Sequence, residues 1–132
     1  MAVGQDILDY QAGLSEADCA IAKALDALIA QVLPEAEGKV WHGSPVWFIN
    51  GNPVAGYFLR KSGMQLLFWS GQSFLTPGLT ATGKFKAAEA IIDAAEALPK
   101  LPVAEWLAEA RAVQWDYAQL AKKRRLEKLT DF

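Results

Sequence analysis

The stretch from Lys39 to Gly71 constrains the fold more than any other part of the chain. Short apolar runs alternate there with turn residues. Val40 to His42 predicts a strand, broken by Gly43-Ser44-Pro45, and Val46 to Ile49 predicts a second. Asn50-Gly51-Asn52-Pro53 is a strong turn signal. Val54 to Arg60 predicts a third strand, Lys61-Ser62-Gly63 turns the chain again, and Met64 to Trp69 predicts a fourth. Connections this short leave room only for antiparallel neighbours. Alternation puts Val54, Gly56, Phe58 and Arg60 on one face and Ala55, Tyr57 and Leu59 on the other, and sets Leu66 and Phe68 against Leu67 and Trp69.

Helical patterns flank this region. Residues 6–12 suit a helical turn or two. Ser15 can cap a helix, with Asp18 three residues on and Leu14 and Cys19 at the staple positions. Ile21, Leu25, Leu28 and Val32 then recur at helical spacing, and Pro34 forces Leu33 out of helical geometry. Residues 71–83, rich in Gly, Ser and Thr, predict a loop. Residues 84–97 read two ways. Their alanines and glutamates favour helix, yet a strand at about 85–92 would extend the sheet. Pro102 suits a first helical turn. Val103, Trp106, Leu107, Ala110, Val113, Tyr117 and Leu120 make one stripe, so the spacing predicts a last helix from about Pro102 to Leu126.

At 132 residues and 52% hydrophobic content the chain predicts one domain, 1–132, with a core over about 15–126. No apolar run approaches the roughly 18 residues of a membrane span, and no basic region leads into an apolar core at the start, so neither a membrane protein nor a signal peptide is expected. Cys19 is the only cysteine, which fits a reducing cytoplasm. A net charge of −2 argues against a dedicated nucleic-acid binder. The charge is uneven: Asp6, Asp9, Glu16, Asp18, Asp26, Glu35 and Glu37 face only Lys23 up to residue 37, while Lys122, Lys123, Arg124, Arg125 and Lys128 crowd the end around Glu127. These runs read as a solvated helix face and a solubilising helix end, with residues 127–132 dispensable for folding.

Several motifs recur in a telling order: Leu33-Pro34-Glu35-Ala36-Glu37, Gly43-Ser44-Pro45-Val46-Trp47, Gly56-Tyr57, the Lys61 turn, and Leu66-Leu67-Phe68. Gly83-Lys84-Phe85, Trp106-Leu107-Ala108-Glu109-Ala110 and Gln114-Trp115-Asp116-Tyr117, then Lys122-Lys123-Arg124, complete the series. In that order and spacing, over about residues 15–125, the chain resembles the YdhG-like family of small bacterial proteins. The resemblance implies a frataxin-like α+β fold: an antiparallel sheet of about five strands with an N-terminal and a C-terminal helix on one face, and a strand over 86–93. It also implies a non-enzymatic protein that binds or chaperones a metal ion, iron, or a small ligand. The carboxylates available for a metal are Asp18, Asp26, Glu35 and Glu37, whereas Val40-Trp41-His42 adds no acid.

Other candidates cluster in the sheet. Trp41, His42, Trp47, Tyr57, Lys61 and Trp69 could line a ligand pocket. His42 is the only histidine, and Cys19 lies on a different element, so a metal or nucleophilic pair is not expected from them. No Gly-rich phosphate loop, cysteine pair, Ser-His-Asp order or paired carboxylates can be read, so no catalytic residue is assigned. Five tryptophans are more than one small core readily hides. The alternative function is therefore a homodimer formed through the sheet's aromatic residues.

Overall fold

The computed structural model describes residues 3–83, 85–120 and 126–129. Helices α1 (Gln5–Ala12) and α2 (Glu16–Val32) precede four consecutive strands: β1 (Glu37–Trp41), β2 (Ser44–Ile49), β3 (Asn52–Arg60) and β4 (Gly63–Phe68). Short β5 (Thr80–Ala81), β6 (Ala88–Ile92) and helix α3 (Val103–Ala112) follow. The fold is α+β, with one antiparallel sheet in the order β1-β2-β3-β4-β6-β5. It has six strands rather than about five, because Thr80–Ala81, inside the expected loop, pairs with β6. No helix among the described residues is long and apolar enough to cross a membrane.

Local chemistry explains the elements. Ser15 Oγ accepts from the Asp18 amide at 3.1 Å and caps α2. The β1–β2 turn places His42 at φ 53° and Gly43 at φ 85°, and the β2–β3 turn places Asn50 at φ 51° and Gly51 at φ 80°. Two consecutive residues of positive φ make the tight hairpin turns whose twist matches paired strands. The pairs closing them are Trp41 with Ser44 and Ile49 with Asn52. Pro45, which has no N–H, lies opposite Val40, whose own amide donates to Asp6 Oδ2 at 2.7 Å. That bond lets α1 cover part of the sheet's first edge.

One face of the sheet is covered by all three helices. Trp47, Ile49, Ala55, Tyr57, Met64, Leu66, Phe68 and Ile92 point inward and pack with Ile7, Ile21, Leu25, Ile29, Trp106 and Leu107. Ile7 brings α1 into this core ahead of the boundary expected near residue 15. β6 occupies the place where composition favoured helix. Ladder bonds to β4 and the burial of Ala88 and Ile92 outweigh alanine's helical preference.

The last helix is the main correction. It ends at Ala112, not Leu126, and Val113 is already extended. Beyond it Gln114 and Trp115 are claimed by partners that a helix could not reach. Asn52 Nδ2 donates to Gln114 Oε1 at 3.1 Å and to the Trp115 carbonyl at 2.9 Å, while Asn52 Oδ1 accepts from the Ala118 amide at 3.0 Å. The Trp115 amide donates to Ser70 Oγ and its indole to Ser73 Oγ. Val113, Tyr117 and Leu120 therefore do not continue the stripe of α3: Val113 is extended and Tyr117–Gln119 is a separate 3-10 turn. Trp115 pairs with Lys128, and the amides of Asp116 and Leu129 donate to the carbonyls of Glu127 and Gln114. Residues 127–129 are thus bonded to the segment that follows α3. Lys122 to Arg125 lie outside the described residues.

Candidate functional site

Strand alternation divides the six predicted ligand residues. Trp47 and Tyr57 point into the helix-covered core, 5.7 Å apart between ring centres. Trp41 and Trp69 lie on the opposite face. His42 and Lys61 sit exposed at the tips of two turns. These six do not form one site. Tyr57 and Trp47 are core residues, because the register that puts Gly56 on the open face must turn Tyr57 inward.

Tyr57 anchors a polar knot inside the core. Its hydroxyl donates to Asp26 Oδ1 at 2.8 Å and accepts from Gln11 Nε2 at 2.9 Å. Gln11 Nε2 also donates to Asp26 Oδ2 at 2.5 Å, and Lys23 Nζ donates to Gln11 Oε1 at 3.3 Å. Burial raises the Asp26 pKa above its usual value, against the hydrogen bonds from Gln11 and Tyr57 and the charge of Lys23. Burial, together with the Asp26 charge, raises Tyr57 far above the usual phenol range. A cavity of about 60 Å³ beside it touches Asp26, Ile7 and Trp47. That is room for a few water molecules only. The knot joins α1, α2 and β3.

The four predicted metal carboxylates are not gathered. Asp18 lies in the first turn of α2, and Asp26 is engaged in the knot. Glu35 pairs with Arg111, Oε2 to Nε at 2.5 Å and Oε1 to Nη2 at 2.9 Å, and that pairing lowers its pKa. Glu37 stands on β1, on the open side of the sheet. Among the described residues no three His, Cys, Asp or Glu side chains come together as a metal site.

The open face carries the distinctive feature. Trp41 meets Phe48 edge-on with ring centres 5.4 Å apart and meets Trp69 at 6.4 Å; Trp69 continues to Phe58 at 6.2 Å. Gly56 makes room for this row: a Cβ there would lie 3.2 Å from the Trp69 ring and 2.8 Å from the Pro45 carbonyl. Cations lie over two of the rings, Lys39 Nζ 4.8 Å from the centre of Phe48 and the Arg60 guanidinium 5.3 Å from that of Phe58. Arg60, Gln65 and Glu89 form a hydrogen-bonded polar strip beside the aromatics. At the β1–β2 end the row opens into a groove of about 360 Å³ lined by Glu37, Lys39, Trp41, Phe48, Pro53 and Tyr117.

Sequence reasoning found Trp41 and Trp69 but missed Phe48, Phe58 and Tyr117. Phe48 and Phe58 were readable from their alternation with Trp47 and Tyr57. Tyr117 was not, since its place on this face depends on the chain leaving α3 early. No family model matches the chain, and no curated protein or solved structure was found to be similar to it.

Proposed function

We propose that the protein is a non-enzymatic binding module that holds a small ligand on the sheet face opposite α1, α2 and α3, in the groove between Trp41, Phe48 and Tyr117. The observation that carries this reading is the continuous aromatic row on the sheet face opposite the one on which α1, α2 and α3 pack. A single sheet with helices on one side normally exposes polar residues on the other. Clustered rings beside a groove within the size range of small-molecule pockets, about 300–1,000 Å³, are the form a ligand surface takes. The binding function agrees with the family resemblance, but its iron form draws no support from the four dispersed carboxylates.

A nuclear magnetic resonance screen with a library of aromatic fragments tests this. Shifts concentrated at Trp41, Phe48 and Tyr117 support the reading. Shifts confined to the Asp26 cavity, or to the loop around Leu75, overturn it.

The homodimer is the second reading. Ile91 on the same open face is 40% exposed and would be covered by a second copy using this side. Sedimentation from micromolar to hundreds of micromolar decides it: a strict monomer throughout removes the dimer.

A further inference from the structure

We infer that the groove is an aromatic box for the methylated ammonium head of a small organic cation. This rests on the open-face reading above and names its ligand class.

Three observations converge. Trp41, Phe48 and Tyr117 all line the groove, and the Trp41 and Phe48 rings meet edge-on there with centres 5.4 Å apart, while the Tyr117 ring packs against Phe85 and its hydroxyl accepts from the Lys86 amide. The face of Phe48 already receives a cation, since Lys39 Nζ sits 4.8 Å over its centre. Glu37 lies in the same lining and pairs with Phe48 across β1 and β2, and its carboxylate has no ion-pair or hydrogen-bond partner among the described residues. Ring faces and a carboxylate attract positive charge together.

The position of Lys39 suggests how such a ligand would enter. Its ammonium is compact and strongly hydrated, so holding it against a ring costs desolvation. A methylated ammonium carries the same charge on a weakly hydrated, apolar surface. It loses less water on entering and makes more dispersion contact with the Trp41 and Phe48 rings. The ligand head therefore displaces Lys39, whose flexible stem swings to solvent. Glu37 then balances the charge that arrives.

The probe is choline chloride, with 3,3-dimethyl-1-butanol as its neutral counterpart of the same shape. Both are titrated into the full chain, and the Trp41 indole and Phe48 resonances are followed. Choline should shift them, and the neutral alcohol should bind weaker by about tenfold. Glu37→Gln should weaken choline binding. Lys39→Met should tighten it, because the resident cation is gone while the stem's packing is kept. Equal binding of choline and the alcohol, or weaker choline binding in Lys39→Met, overturns the inference; the latter would show that Lys39 supports the site instead of occupying the cation's place. If choline leaves these resonances unmoved while aromatic fragments still shift them, this inference fails and the open-face reading stands. If neither ligand moves them, both fail.

Discussion

Gly38 and Trp47 face each other across β1 and β2, and a methyl group at 38 would lie 2.5 Å from the Trp47 indole nitrogen. Trp47 is only 5% exposed and packs against Tyr57, so the ring can move only into the small cavity beside it. Gly38→Ala should therefore cost about 1–3 kcal/mol through overpacking. Urea unfolding measures this, and an unchanged midpoint would mean the ring relaxes freely.

The buried knot gives a pH prediction. The folded state raises the Asp26 pKa above the unfolded value of 3.8. Between those two values the folded chain holds more proton than the unfolded one, so this group's contribution to stability falls as pH rises. The advantage of wild type over Asp26→Asn should be largest below pH 3.8 and shrink as pH climbs through the raised value, then stay level. Urea melts of both proteins across that range report the difference, in which other carboxylates cancel. An advantage that grows with pH would show that the fold prefers the Asp26 anion.

Tyr57→Phe removes the donor to Asp26 Oδ1 from a fully buried position. The loss should be about 1–3 kcal/mol, the penalty of an unsatisfied buried polar group. A neutral result in thermal melts would mean that water from the adjacent cavity replaces the hydroxyl.

Trp106→Ala should destabilise far more than Trp41→Ala. Trp106 is fully buried, stacks edge-on with Phe68 and donates its indole N–H to the Pro77 carbonyl at 3.1 Å. Its removal leaves a large cavity worth about 3–5 kcal/mol. Trp41 is half-buried on the open face, and its truncation should cost less than half as much. Similar melting shifts for the two would contradict the assignment of inner and outer faces.

Asn52 is the clamp on the segment after α3, bonding Gln114, Trp115 and Ala118 at once. Asn52→Ala should speed hydrogen exchange at the Asp116 and Leu129 amides well beyond any change in the α2 amides. Equal acceleration in both places would mean that the variant unfolds globally instead of releasing this segment.

Much of the fold was legible because its signals are local. Asn50-Gly51 demands a tight turn, Ser15 caps its own helix, and period-two alternation assigns Tyr57 and Phe58 to opposite faces. The turn predicted at Gly43-Ser44-Pro45 is instead made by His42-Gly43, and Ser44 and Pro45 belong to β2. The end of α3 was not legible. Helical spacing persists through Tyr117, and what stops the helix is a set of long-range bonds from Asn52 and Ser70. β6 was assigned through family resemblance against its own propensity, since β4 pairing decides it. The site was half legible for the same reason. Alternation separates ring residues by face, but which face α1, α2 and α3 cover, and that Tyr117 lines the same groove as Trp41, are tertiary facts.

Ligand binding on the open aromatic face can be measured by isothermal titration of the best aromatic fragment into wild type and Trp41→Ala. Binding by the variant should be about tenfold weaker, as expected for loss of an aromatic hot spot, with little change in melting temperature. Unchanged affinity in a folded Trp41→Ala would contradict binding on this face.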